Sequence, residues 1–169
     1  MTPIPATAAH MAEIAAIYAH HVRHGMASFD EVPPGPGELD AKRRGLQDKG
    51  YPFLVLMKDD RVAGYAYAGP FRARSGYRFT AEDSIYLHPD FVGQGLARPL
   101  LEAVITVCRE RGMKTMLAVC GMPQEQVPEE NPSYRAHAKL GFVEVGSLPN
   151  VGYKFERWLK TVYLALDLS

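Results

Sequence analysis

The sequence carries no net charge, because nineteen Lys and Arg residues balance nineteen Asp and Glu. Without a global positive field it lacks the electrostatic footprint of a nucleic-acid binder or of a protein held on an anionic membrane, and neither partner is expected. Cysteine is scarce. Cys108 and Cys120 are the two present, and no CxxC or paired-histidine spacing accompanies them. That excludes a disulfide framework, gives no reason to expect a metal, and predicts two reduced thiols. Long apolar runs are also missing; Phe53 to Met57 is typical of those that occur, and no basic segment followed by an apolar stretch opens the chain. A membrane span or secretory signal is therefore not expected, and the cytoplasm is the predicted compartment. Repeats, low-complexity tracts and linkers are absent as well. What is there suits one domain over residues 1–169: 47% apolar and 22% charged residues, close to ordinary globular proteins.

Periodicity predicts a mixed α/β (α+β) sheet. A short strand is expected at Ile4, then a helix capped by Thr7, with Met11, Ile14, Ala15, Tyr18 and Val22 on its apolar face and Gly25 at its end. The Pro- and Gly-rich stretch Val32 to Gly37 forbids regular structure, and the polar run from Glu38 to Lys49 reads as a helix stopped by Gly50. Phe53–Met57 and Arg61–Ala68 read as a hairpin around Lys58-Asp59-Asp60. A strand at Glu82–His88, a glycine turn, a helix containing Leu100, Ala103, Val104, Val107 and Cys108, and a strand at Thr115–Cys120 make a βαβ unit. Gly121 to Glu130 is expected to be a polar loop and Pro132 to Leu140 a short helix. Val162, Leu164, Leu166 and Leu168 alternate as a half-buried final strand.

Gly93-Gln94-Gly95-Leu96-Ala97 places small residues just before a helix N-terminus, with Pro99 where the first turn tolerates a missing amide. Exposed amides and the helix dipole there suit a diphosphate. A P-loop is excluded because no GxxxxGK[ST] occurs, and a Rossmann turn because the full GxGxxG is missing.

Three segments in order, Glu82 to Leu87, Gly93 to Ala97, and Asn131-Pro132-Ser133 running to His137-Ala138-Lys139-Leu140-Gly141-Phe142, resemble the acetyl-CoA-binding segments of the GNAT N-acetyltransferases. Tyr67 to Arg74, Gly152-Tyr153-Lys154 and Trp158 extend the resemblance to the phosphinothricin and methionine-sulfoximine acetyltransferase branch, over nearly the whole chain. The resemblance implies the GNAT acyl-CoA N-acyltransferase fold: a mixed, mostly antiparallel central sheet flanked by helices. It implies acetyl-CoA as cosubstrate, no metal, and direct attack in a ternary complex on it by the α-amino group of a small anionic amino acid or analogue. By the same resemblance, backbone groups of Ile85, Tyr86 and Leu87 hold the pantetheine arm, amides of Gly93, Gln94, Gly95, Leu96, Ala97 and Arg98 hold the diphosphate, and Asn131 and Ser133 also contact the cofactor. Family habit adds a homodimer. The chain departs from the pattern at Val92, where the family has Gln or Arg, and at Asn131, which lies two rather than three residues before Ser133.

The chemistry asks for a base, an acid and an oxyanion donor. Glu82 stands where the branch places its glutamate; a carboxylate near its reference pKa would take a proton from an α-ammonium uphill by roughly 5 kcal/mol, so a raised pKa or a water relay is required. His137 is the expected acid for the CoA thiolate, and the Leu87 amide the expected oxyanion donor by family analogy. Arg72, Ala73, Arg74 and Tyr77 lead into the Glu82 strand, and paired guanidiniums suit a carboxylate or phosphinate. Tyr77, Phe79, Phe29 and Trp158 are expected to wall an apolar slot for the substrate. Cys120, in an apolar strand with no adjacent base, is a poor nucleophile, and Cys108 reads as core. Acetylation of another amine (a protein N-terminus, polyamine or aminoglycoside) and a non-catalytic CoA-binding module are the alternatives.

Overall fold

Alternating apolar residues build one seven-stranded sheet in the order β1-β2-β3-β4-β5-β7-β6. The strands are β1 (Ile4–Pro5), β2 (Phe53–Lys58), β3 (Arg61–Pro70), β4 (Thr80–Leu87), β5 (Thr115–Pro123), β6 (Val143–Lys154) and β7 (Arg157–Asp167). The structure is a computed structural model and describes all residues 1–169. Four α-helices flank the sheet: α1 (Met11–His24), α2 (Pro36–Asp48), α3 (Ala97–Glu110) and α4 (Pro132–Ala138). The two-residue repeat of β2 shows how the core divides. Phe53 and Val55 pack with Ile14 and Ile17 of α1 and Leu39 of α2, whereas Leu54 and Leu56 pack with Leu100 and Val104 of α3.

The β2–β3 hairpin turns on Asp59 and Asp60, at φ 51° and 58°. Two consecutive left-handed residues give the reversal that a two-residue hairpin needs, and Asp tolerates it better than most residues. Every strand pair is antiparallel except β4 with β5, which α3 connects. That parallel pairing is short: Thr80, Ala81 and Glu82 oppose Thr115, Met116 and Leu117. Beyond Glu82, β4 stays with β3 as far as Leu87 and β5 stays with β7 as far as Pro123, so the two strands part and leave a gap.

Several boundaries differ from the sequence expectations for identifiable reasons. Helix α2 begins at Pro36, the proline occupying its first turn, where no amide is needed. Strand β5 continues to Pro123, into the stretch expected to be loop, because β7 pairs with it over its whole length. Helix α4 ends at Ala138, short of Leu140. Strand β6 has no counterpart in the expectations. Its Gly146, Pro149, Asn150 and Gly152 read as turn residues, and the strand accommodates them with two register irregularities against β7. The buried faces of α1 and α3 are broader than the simple periodicity, adding Ile17, Leu101 and Ile105.

Candidate active site

The β4 backbone divides its hydrogen-bonding groups between two edges. His88 N–H donates to Ala63 O at 2.9 Å and Phe71 N–H to Thr80 O at 3.2 Å, which fixes the even-numbered residues of β4 toward β3. By alternation the backbone groups of Asp83, Ile85 and Leu87 turn toward the edge from which β5 has departed. Tyr86 instead spends its backbone on β3 opposite Tyr65. The Leu87 carbonyl accepts a hydrogen bond from His21 Nε2 at 2.8 Å, and burial holds the His21 pKa below its ordinary value, so a neutral ring donates there. Sequence reasoning did not single out His21.

The gap opens into a cavity of about 260 Å³ whose wall includes Glu82, Ile85, Tyr86, Asn131, Ser133 and His137. Ala27, Ser28 and Phe29 border it as well. The loop carrying these three is tied to the sheet by Lys154, a buried residue whose Nζ donates to Gly25 O at 2.9 Å and to Ser28 O at 2.8 Å. The Phe29 ring sits against Gly121 and Gly152: a Cβ on either glycine would stand 2.5 Å from a ring carbon. Gly152 and Lys154 thus have a shared task, invisible in the sequence, of seating one loop over the cavity. The other aromatic residues expected in a slot with Phe29 do not join it. Tyr77, Phe79 and Trp158 are exposed, and Trp158 packs on Tyr153 instead.

Glu82 and His137 reach the cavity from opposite faces of β4. Tyr86, two positions along on the Glu82 side, packs with Tyr18 and Tyr65 on the α1 face, while Asp83 meets α4 on the other. Burial raises the Glu82 pKa above its ordinary value, Asp83 adds to the rise, and Lys42 and Arg72 oppose it. His137 is held at both ring nitrogens. Nε2 lies 2.8 Å from Asp83 Oδ2 and Nδ1 lies 2.7 Å from Ser133 O. Burial alone would lower its pKa, but the adjacent Asp83 carboxylate, with the Ser133 carbonyl, outweighs burial and raises it. Cys120 is not a nucleophile: burial pushes its thiol up to about 11, and it faces the Ser133 hydroxyl at 3.7 Å. Asn131 caps α4, its Oδ1 accepting from Tyr134 N–H at 3.1 Å, whereas Glu130 lies in the preceding turn of 3-10 helix.

The glycine turn forms a second, adjoining feature. Gly93 and Gly95 have φ of 80° and 77°, and open space faces both. The amides of Gly93, Gln94, Gly95 and Leu96 have no backbone acceptor, and they precede the fourteen-residue helix α3. Gln94 is tied back by Lys58 and by Asp90 O. A cavity of about 460 Å³ lies over the turn, lined also by Ala97, Arg98, Arg135 and Lys139. Free amides, a helix N-terminus and three cations fit a diphosphate-bearing group such as acetyl-CoA. Lys139 lies in a stretch that resembles an acetyl-CoA-binding segment, but the sequence assigns neither it nor Arg135 to the diphosphate, because α4 brings them to the turn from a distant part of the chain.

Arg72, Ala73, Arg74 and Tyr77 form an open depression of their own with Phe71. The Arg72 guanidinium lies over the Phe71 ring at 4.9 Å and is close enough to act on Glu82. Arg72 therefore borders the Glu82 side, and neither arginine lines the central cavity. No group of three or more His, Cys, Asp or Glu side chains is arranged to hold a metal, and no helix is long and apolar enough to cross a membrane.

A sheet split between its two parallel strands, with a glycine turn and helix N-terminus beside the split, defines an acyl-CoA-dependent acyltransferase fold. The chain belongs to the acetyltransferase (GNAT) family, whose model matches residues 13–142. It is 45% identical to a phosphinothricin N-acetyltransferase of Alcaligenes faecalis, over 92% of this chain and 77% of that protein. It is 36% identical to the L-methionine sulfoximine/L-methionine sulfone acetyltransferase of Salmonella typhimurium, over 94% of this chain and 89% of the relative. The structure of a phosphinothricin acetyltransferase from Sinorhizobium meliloti in complex with acetyl-CoA superposes with a TM-score of 0.91 at 36% identity, covering 99% of this chain and 88% of that one.

Proposed function

We propose that this protein transfers acetyl from acetyl-CoA to the α-amino group of a small anionic amino acid or analogue, with phosphinothricin, methionine sulfoximine and methionine sulfone as the test substrates. The observation that carries the reading is the position of Glu82, half-buried on the wall of the split between β4 and β5. The glycine-turn amides from Gly93 to Arg98 hold the diphosphate, and the outward backbone of Ile85 and Leu87 takes the pantetheine arm. The Leu87 amide donates to the developing oxyanion. Asn131 and Ser133 border the thiol end. Arg72, Ala73, Arg74 and Tyr77 receive the substrate's acidic group, and Glu82 relays the amine proton toward solvent. Its raised pKa narrows the mismatch with the amine and makes that relay less uphill. His137 is the reservoir of the proton that the thiolate needs. Residues 1–169 act as one domain in the cytoplasm, where the two free, buried thiols stay reduced, and the chain pairs with a second copy. Resistance to an acidic amino-acid toxin is the role that fits.

A thiol-release assay with acetyl-CoA tests the reading on the three analogues together with spermidine and kanamycin. Turnover on at least one analogue and not on the cations is expected. Turnover confined to the cations would overturn the substrate class, and acetyl-CoA binding without thiol release from any amine would reduce the protein to a binding module. Glu82→Gln should lower kcat by about a hundredfold while leaving the acetyl-CoA dissociation constant within a factor of three. In the wild type, kcat should fall as pH drops through a Glu82 pKa lying above the ordinary carboxylate value, because the acid form cannot accept the proton.

A further inference from the structure

The acid side of the cavity contains a buried ion pair that the expected roles leave unexplained. Asp83 and His137 meet at 2.8 Å with their side chains 1% and 3% exposed. A carboxylate and a carbonyl both only accept, so an imidazole held between Asp83 Oδ2 and Ser133 O has both nitrogens occupied in its protonated form. Such a ring has no free N–H aimed at the cavity. Ser133 does have a free proton. Its Oγ accepts from the Cys120 thiol at 3.7 Å and lies 3.4 Å from His137 Nδ1, whose single N–H is directed at Ser133 O. Facing a protonated nitrogen and a thiol donor, the hydroxyl hydrogen has no acceptor in either neighbour, and Ser133 lines the cavity. The other oxygen of the pair, Asp83 Oδ1, is buried with no protein partner, on a residue that lines the same cavity.

We infer that Asp83 is a positioning residue that holds His137 as an imidazolium behind Ser133, so that the Ser133 hydroxyl, and not the His137 ring, delivers the proton to the departing thiolate. The inference rests on the acetyl-transfer reading. As the amine nitrogen bonds to the acetyl carbon and the carbon–sulfur bond breaks, sulfur takes the Ser133 hydroxyl proton. Ser133 Oγ takes the Nδ1 proton of His137, and His137 is left neutral with its Nε2–H on Asp83. The proton lost by the amine leaves through Glu82, so one proton enters and one departs per turnover.

The groups facing the pair are few. Glu82 adjoins it on β4, Cys120 approaches from β5, and Cys108 on α3 feels the Asp83 charge. The two thiols are neutral in the working range, but the Asp83 charge also raises the Glu82 pKa, so the kinetics of an Asp83 variant are read beside the His137 titration observed directly.

Asp83→Asn keeps the shape and removes the charge. Its His137 should titrate at least one pH unit lower than in the wild type, read by ¹⁵N NMR of the imidazole in the unliganded protein. With acetyl-CoA and methionine sulfone, kcat should fall roughly tenfold or more at pH 8 and by less at pH 6, in proportion to the fraction of the variant's imidazole that the titration finds protonated there, with both KM values within about threefold. Ser133→Ala should lose a similar factor at both pH values while His137 remains charged. A wild-type His137 that is neutral at pH 7 overturns the inference, as does an Asp83→Asn deficit of the same size at every pH or a fully active Ser133→Ala. The NMR titration needs no substrate, so absence of turnover on every amine would refute the acetyl-transfer reading without obscuring the state of the pair.

Discussion

Lys154 shows how a single residue far along the chain shapes a cavity built by others. A lysine seldom lies buried, and this one does so because its ammonium has two carbonyl acceptors, Gly25 O and Ser28 O, in the loop that carries Phe29. Lys154→Met keeps most of the packing and strands both carbonyls. It should lower stability by about 1–3 kcal/mol in urea denaturation. With Phe29 released from its seat, KM for the amino acid should rise more than KM for acetyl-CoA. Unaltered stability together with unaltered KM values would show that the loop holds itself. The Gly152-Tyr153-Lys154 motif is visible in the sequence, but its purpose is not, because the partners lie more than a hundred residues earlier. The same holds for His137. Its residue type suggested an acid, while the Asp83 contact that occupies its Nε2 depends on α4 meeting β4, which no local pattern records.

At the scale of elements, the strand–turn–helix unit was the most legible part, because each piece signals itself locally: Gly93 and Gly95 need positive φ, Pro99 lies in the helix's first turn, and α3 keeps its apolar spacing. The split that makes the unit useful was not legible, because it arises from β4 and β5 following different antiparallel neighbours after three paired positions. Nor was the contribution of α4, which brings Lys139 to the cavity over the glycine turn. Substituting this exposed lysine leaves the amides in place and removes one cation from the diphosphate's surroundings. Lys139→Ala should therefore weaken acetyl-CoA binding by roughly threefold to tenfold at low salt, and the difference from wild type should shrink in high salt. S-acetylpantetheine, which lacks the phosphates, should bind both proteins alike. An equal loss for the two donors would place Lys139 against some other part of the ligand.

For the whole molecule the sheet's far edge matters most. β6 is long, terminal in the strand order and paired on one side only. Val143, Val145, Leu148, Val151 and Tyr153 are nevertheless exposed along it, next to exposed Trp158 on β7. A bare, apolar edge strand invites either aggregation or a partner, and the first half of this one carries a single charge, Glu144, which is hydrogen-bonded to Tyr134. A second copy of the chain, meeting it by two-fold symmetry, is the partner that the proposed homodimer supplies. Trp158 is the chain's single tryptophan, and it is 56% exposed in the isolated subunit. Its emission therefore reports directly on whether this surface is covered. Sedimentation should give twice the 18.7 kDa of one chain at micromolar concentration, with blue-shifted tryptophan emission that moves to the red on dilution or on Val145→Glu. A dimer whose emission is already that of a solvated indole would place the interface elsewhere, and a monomer at high concentration would leave β6 exposed in solution, against the pairing proposed here.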